Sequence, residues 1–100
     1  ERVQLSGGEW LPCHTVVWTA GNAPNALLAG LGCPTERGRL VVDAELRVAG
    51  QTNVWALGDN ALVPDARTKG FHPPTAQHAS RQAKVVADNI AATLRGGRLR

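Results

Sequence analysis

The sequence predicts an α/β fold built of short β-strands, one of them a central strand ended by glycine, and a long C-terminal helix. Two apolar runs and one periodic segment carry that reading. The run Val54-Trp55-Ala56-Leu57 stops abruptly at Gly58-Asp59. Apolar residues on consecutive positions bury both faces, as a strand inside a parallel sheet does. The run His14-Thr15-Val16-Val17-Trp18-Thr19-Ala20-Gly21 has the same character, β-branched and aromatic and again closed by glycine. Near the C-terminus, Ala79, Ala83, Val86, Ile90 and Leu94 recur at spacings of three and four, which places them on one stripe of a helix.

Taken in order, Val3-Gln4-Leu5 and Trp10-Leu11 flank Gly7-Gly8-Glu9 and predict an edge hairpin whose register the turn sets. The buried strand over residues 14–21 follows. Asn22-Ala23-Pro24-Asn25 then turns the chain, and Pro24, whose missing N–H costs nothing at a first helical position, opens a short helix through Leu31. Residues 32–38 are rich in glycine, proline and charge and predict a loop. Short strands are expected at residues 39–42 and 46–48, joined by Asp43-Ala44-Glu45, and Gly50-Gln51 turns into the central strand. Residues 60–75 predict a long polar loop, kept out of helix and strand by Pro64, Gly70, Pro73 and Pro74. A loop of this length beside a ligand-facing strand end either covers a ligand or is a mobile surface segment. Thr75 caps the long helix from Ala76 to Leu94, Gly96-Gly97 ends it, and Arg81, Lys84 and Asp88 lie opposite its apolar stripe.

One hundred residues make one domain or part of one. The absence of methionine leads to the expectation of a piece of a longer protein. The net charge of +3 gathers near the end, in Arg81, Lys84, Arg95, Arg98 and Arg100. A helix with a solvated basic face accounts for it, and without an aromatic-interleaved basic patch no nucleic-acid partner is expected. Cys13 and Cys33 belong to no C-x-x-C pair, so neither a redox dithiol nor a metal site is expected, and a reducing compartment suits them. No apolar stretch approaches the ~20 residues that cross a bilayer, so membrane contact would be peripheral or lie outside these residues.

In open α/β sheets ligands bind outside the carboxyl ends of the strands, where Gly58-Asp59 would stand. Glycine lets the backbone come close, and Asp59 can accept hydrogen bonds from hydroxyls. The same pattern also occurs at plain strand-to-turn junctions. Its neighbours sharpen it. Leu40-Val41-Val42-Asp43, Leu46-Arg47-Val48, the stretch from Thr52 to Asp59, and Pro73-Pro74-Thr75-Ala76-Gln77-His78-Ala79 with the helix behind it together resemble part of a known superfamily. The likeness is to the flavin-binding C-terminal part of the pyridine nucleotide-disulfide oxidoreductases, nearest to the type II NADH:quinone dehydrogenases.

The resemblance implies part of a FAD/NAD(P)-binding Rossmann-like domain, with residues 1–14 ending the NADH-binding domain and residues 15–100 forming the C-terminal half of the FAD-binding domain. It implies an enzyme that moves hydride from NADH to FAD and electrons on to a quinone, with this piece inactive alone. Thr19-Ala20-Gly21 resembles the superfamily's crossover motif, where backbone lies close to bound cofactor, so Gly21 joins Gly58 and Asp59 as a cofactor-site residue. The resemblance implies that Asp59 bonds the ribityl chain or bridges through water to the pyrophosphate, as the matching aspartate does in the family. The helix start at Thr75, Ala76 and Gln77 would stabilise the negative N1 and C2 carbonyl edge of reduced flavin.

Type II NADH dehydrogenases carry an A-Q-x-A-x-Q sequence on this helix. Gln77 matches its first glutamine, Arg81 stands in place of the second, and Gln82 follows one position later. Gln77 and Arg81 share a helix face and are the acceptor-site candidates; Gln82 faces away by about a quarter turn. Arg81 could bond a quinone carbonyl and favour its anionic reduced form, or its presence could mean a different acceptor. His78 could donate a proton to a reduced acceptor, although a single histidine on an alanine-rich helix is ordinarily structural. Trp18 and Trp55 are expected as core aromatics.

The glycine-rich loops for the ADP part of FAD and for NADH are not in these residues, and tight FAD binding by them alone is not expected. The remaining alternatives are a ferredoxin reductase-like or sulfide:quinone-like member of the superfamily, and a non-catalytic nucleotide-binding module. The resemblance also implies a cytoplasmic location, peripheral on the cytoplasmic face of the cell membrane if regions outside these residues reach it.

Overall fold

The structure, a computed structural model, describes all 100 residues. It begins with the expected hairpin. Strand β1 (Arg2–Gln4) pairs antiparallel with β2 (Trp10–Pro12), with Val3 opposite Leu11. The turn closes through Leu5 N–H to Glu9 O at 2.8 Å, and the Arg2 guanidinium lies 4.4 Å from the centre of the Trp10 ring.

The buried strand expected at residues 14–21 is not formed. These residues belong to no helix or strand, and Val16, Val17 and Trp18 are 57, 78 and 83% exposed. A strand buried on both faces needs neighbours on both edges and layers on both sides, and no strand of this chain lies beside this segment. Trp18 is therefore not a core aromatic. The extended arm makes the molecule long, 62 × 27 × 24 Å, and its radius of gyration of 18.5 Å exceeds the ~13 Å of a compact chain of this size.

The body begins at Asn25, whose Oδ1 accepts from Leu27 N at 2.9 Å and caps a 3-10 helix, Ala26–Gly30. The cap is the asparagine rather than a helix start at Pro24, and the single turn serves to drop Leu28 into the core. Within the expected loop 32–38, β3 (Thr35–Glu36) forms a hairpin with β4 (Arg39–Val41). Its two linking residues, Arg37 and Gly38, have φ of 52° and 75°. Two positive φ values in a row give the turn whose twist matches that of the flanking strands, so a charged pair that reads as loop is a tight hairpin link.

After β4 the chain turns at residues 43–46. Leu46 N–H bonds Asp43 O at 3.1 Å, and Arg47 N–H bonds the Asp43 carboxylate at 2.8 Å. The strands expected at residues 46–48 and 52–57 shrink to two antiparallel bridges, Val42 with Val48 and Arg47 with Trp55. The apolar run still buries Ala56 and half-buries Trp55 and Leu57, then ends at Gly58 in a 3-10 turn, Gly58–Asn60. The parallel pairing comes one segment later than expected: β5 (Ala61–Leu62) lies parallel to β4, Leu40 opposite Ala61 and Val41 opposite Leu62. The expected loop 60–75 is thus largely ordered, for it also holds the hairpin of β6 (Pro64–Asp65) and β7 (Gly70–Phe71). Asp65 closes that hairpin, accepting from Arg67 N–H and the Thr68 hydroxyl, each at 2.9 Å.

The core sits where these pieces meet. Leu40, Val42, Leu46, Val48, Ala61 and Val63 form its floor, and Leu28 and Val86 close it from the helices. Helix α1 (Ala76–Leu94) has the expected bounds and the expected cap at Thr75. At its other end Gly97 N–H reaches Ala92 O at 2.8 Å and Gly96 N–H reaches Thr93 O at 3.2 Å, the paired bonds of a glycine-terminated helix. The packed face differs from the expected stripe. Ala79 and Val86 point inward as expected, but their companions are Gln82 and Asn89, while Ala83 is exposed and Ile90 and Leu94 are 39 and 83% exposed.

Polar side chains hold this face because their hydrogen bonds are made inside. Asn89 is fully buried: its Nδ2 donates to Glu45 O at 2.9 Å and to Arg100 O at 3.1 Å, and its Oδ1 accepts from Arg100 N at 2.8 Å. A buried amide with partners satisfied on both sides is tolerated where an unpaired one would cost several kcal/mol, of order ~2–7.

Candidate functional site

The turn Gly58–Asn60 is fixed from two sides. From below, Gln82 of α1, a residue only 8% exposed, accepts from Gly58 N–H at 2.8 Å. Gly58 has φ of 63°, and a Cβ placed on it would stand 3.2 Å from the Ala79 Cβ. Both its left-handed backbone and the close approach of the helix therefore require glycine. From the other side, Asn22 Nδ2 donates to Asp59 Oδ2 at 3.1 Å, and Asn25 N–H donates to Asn60 Oδ1 at 3.3 Å. These bonds bring the Gly21-Asn22 end of the arm to the Gly58-Asp59 turn.

Two of the expected cofactor-facing segments thus meet in space, although one of them is not a strand. Asp59 is exposed, and its second carboxylate oxygen, Oδ1, has no partner in the chain. Ala79, against which Gly58 packs, is in the first turn of α1. There Thr75 Oγ1 accepts from His78 N–H at 3.4 Å, while the amides of Ala76 and Gln77 donate to nothing in the chain. The site therefore offers a free carboxylate acceptor beside free N–H donors at the positive end of a helix.

Gln77 and Arg81 are both exposed on α1, as their spacing requires. Arg81 also lines a cleft of about 370 Å³ between α1, the β6–β7 hairpin and the 43–46 turn; Gln77 does not. Apolar walls come from Leu46, Val63 and Val85, and polar groups from Asp65, Arg67, His72, His78, Arg81 and Gln82. The His72 and His78 rings are 4.9 Å apart, and His78 Nδ1 is 2.7 Å from Thr75 Oγ1. The Asp65 carboxyl is held below its usual range, first by the Arg67 backbone N–H, then by the Thr68 hydroxyl and by the nearby His72. Arg67 and Arg81 form no ion pair.

Gln82 is the residue that sequence reasoning passed over. Counted as facing away from the acceptor pair, it faces the turn that carries Asp59 instead. One signal could have found it: Gln82 and Asn89 are seven apart on an alanine- and valine-rich helix, so two amides repeat on one face where a solvated helix would carry charge.

Residues 1–83 match the protein family described as pyridine nucleotide-disulphide oxidoreductase. Among curated proteins the chain is similar to demethylphylloquinone reductase NdbB of Synechocystis, 40% identical over 87 residues, which are 86% of this chain and 21% of that protein. It is 31% identical over 87 residues to the mitochondrial internal alternative NAD(P)H-ubiquinone oxidoreductase A1 of Solanum tuberosum, covering 87% of this chain and 18% of that protein. It is 34% identical over 97 residues to the type II NADH:quinone oxidoreductase of Staphylococcus aureus, covering 96% of this chain and 22% of that protein. The chain spans about a fifth of the length of these relatives.

Proposed function

The chain belongs to the pyridine nucleotide-disulphide oxidoreductase family, and on that premise we propose that it is the C-terminal flavin-site portion of an FAD-dependent NADH dehydrogenase whose electron acceptor is a quinone. The names of its relatives support the class of reaction: one is a demethylphylloquinone reductase, one an NAD(P)H-ubiquinone oxidoreductase and one a type II NADH:quinone oxidoreductase. In this reading residues 1–14 end the NADH-binding domain and residues 15–100 belong to the FAD-binding domain.

One observation carries the cofactor assignment. The free Asp59 oxygen and the free amides of Ala76 and Gln77 belong to elements that touch at Gly58 and Ala79. A flavin presents hydroxyl donors on its ribityl chain and acceptor atoms on its N1 and C2 carbonyl edge, so its needs are the complement of what the site offers. The residues fit the group: Asp59 would hold the ribityl chain, and the helix start would hold the ring edge. The flavin would supply the hydride and electron chemistry. The chain's own residues orient it, and the positive end of α1 favours negative charge at that edge. Arg81 would favour negative charge developing on the acceptor.

The test is Asp59→Ala in the full-length protein. Flavin content falls while the fold is kept, as read by the flavin absorption band and by thermal unfolding; unchanged flavin content counts against the assignment. In the unsubstituted protein, NADH added without oxygen bleaches the flavin band and a soluble quinone restores it. Bleaching without restoration would remove the quinone from the reading and leave the flavin in place.

A further inference from the structure

We propose that His72 and His78 form a proton relay running from the cleft beside the β6–β7 hairpin to the acceptor, with Thr75 holding the inner imidazole. The inference rests on the acceptor being a quinone, as read above. His78 Nδ1 lies 2.7 Å from Thr75 Oγ1, and Thr75 is the residue that caps α1. This imidazole is therefore tied to the same helix start whose free amides would hold the flavin edge. With Nδ1 engaged by the threonine, Nε2 is the nitrogen left to take and give a proton. The His72 ring is 4.9 Å away, tilted by 39°, and both rings are half-buried on the wall of one cleft. At about 370 Å³ the cleft has room for several waters, each taking up ~30 Å³.

The groups around the pair suit this task. From the hairpin, Asp65 and Arg67 face it; from its own helix, Arg81 and Gln82 do. The one carboxylate, Asp65, is fixed by the Arg67 N–H and the Thr68 hydroxyl, so its place on the cleft wall is set by the hairpin. Gln82 is engaged with Gly58. Arg81 lies three residues after His78 on the same helix face, so the proton donor and the cation for the reduced acceptor are neighbours.

The proton count requires such a donor. NADH, a quinone and one proton give NAD⁺ and quinol. A hydride equivalent carries two electrons and one hydrogen to the quinone and leaves a quinol monoanion with one O–H bond still to form. The proton leaves Nε2 of the His78 imidazolium and bonds to that oxygen. His78 recovers a proton from His72, and His72 takes up the one solvent proton of the balance, conducted through cleft water; no protein group is oxidised or reduced.

The test uses the full-length flavoprotein with two acceptors, a soluble short-chain ubiquinone and ferricyanide, which takes electrons without protons. His78→Asn lowers quinone turnover about 100-fold, the low end of general acid catalysis, and far more than ferricyanide turnover; free imidazole in the buffer restores part of the loss. His72→Asn, on a different element, gives a smaller loss that grows as pH rises. A second reading does not depend on turnover: in each single variant the ring-proton NMR resonances of the remaining histidine move, because a ring 4.9 Å away has been removed, and unmoved resonances would separate the pair. Quinone turnover and its pH profile unchanged in both variants would overturn the relay, as would equal losses with both acceptors. A wild-type protein that reduces ferricyanide but no quinone would instead overturn the functional reading on which the relay rests.

Discussion

The arm over residues 14–21 and the body from β4 to β5 are made of the same material and fare oppositely. Val16, Val17 and Trp18 are exposed by more than half, whereas Leu40, Val42, Ala61 and Leu62 are each exposed by 6% or less. Both segments are β-branched or apolar on consecutive positions, and both would pass as buried strands. The body succeeds because β4 has a partner on each edge, β3 on one side and β5 on the other, with α1 and the Leu28 turn over it. The arm has no strand beside it and is held to the body chiefly through Asn22 and Asn25 at its far end. Apolar composition therefore states a demand for burial; topology decides whether this chain meets it.

The largest test of that difference compares one substitution in each region of the 100-residue chain. Leu40→Ala removes a side chain that is 4% exposed from the core cluster and costs about 2–5 kcal/mol by urea unfolding. Trp18→Ala, at 83% exposure, changes stability by no more than about 0.5 kcal/mol. Equal costs would mean that the arm is packed after all. In the full-length protein the contrast should narrow, because strands from outside these residues would cover the arm; a Trp18→Ala cost that stays near zero there would break that part of the argument.

A smaller effect separates burial of apolar groups from burial of polar ones. Gln82→Leu keeps the side chain's bulk but leaves the part-buried Gly58 N–H without its acceptor, which costs about 1–3 kcal/mol. Ser80→Ala, on the exposed side of the same helix, serves as the control and stays within about 0.5 kcal/mol. If the two cost the same, Gln82 does not fix the Gly58–Asn60 turn. The same variant in the full-length protein should weaken flavin retention through Asp59, which sits on that turn.

The residues that were easy and hard to read in the sequence divide along the same line. The helix from Ala76 to Leu94 was legible to the residue, since its cap, its length and its terminal glycines are local signals. The first hairpin, set by Gly7-Gly8, was legible to within one residue at its strand ends. The Gly58-Asp59 turn was found by the glycine and carboxylate that end an apolar run, although the parallel strand proved to be the pair of residues after it. What escaped were features set by distant partners: the unpaired arm, the inward Gln82 and Asn89, and the ordered β6–β7 hairpin in place of a loop. Periodicity scores a glutamine as outward, and only the acceptor-hungry Gly58 amide, 24 positions away, turns it inward. His72 and His78 are legible as residues but not as a pair, because the hairpin that brings His72 back to α1 reads in the sequence as a long loop.

The smallest test lies in the link between β3 and β4. Arg37 holds φ of 52°, a conformation that asparagine adopts several-fold more readily than most residues, and Gly38 follows with φ of 75°. Arg37→Asn converts the link to Asn-Gly, the strongest pair for this turn. The change gives up a 3.8 Å ion pair with Glu36, whose two side chains are 75 and 54% exposed. Exposed pairs contribute between about 0 and 1 kcal/mol, and relief of left-handed strain at one residue is worth part of about 1–2 kcal/mol. The turn should win by a few tenths of a kcal/mol, ~0.5 at most, raising the urea midpoint of the body. Because β3 is an edge strand that pairs only with β4, the exposure of Trp18, read by its fluorescence with Trp10 and Trp55 replaced by phenylalanine, should not change. A rise in stability accompanied by burial of Trp18 would show that the two regions unfold as one.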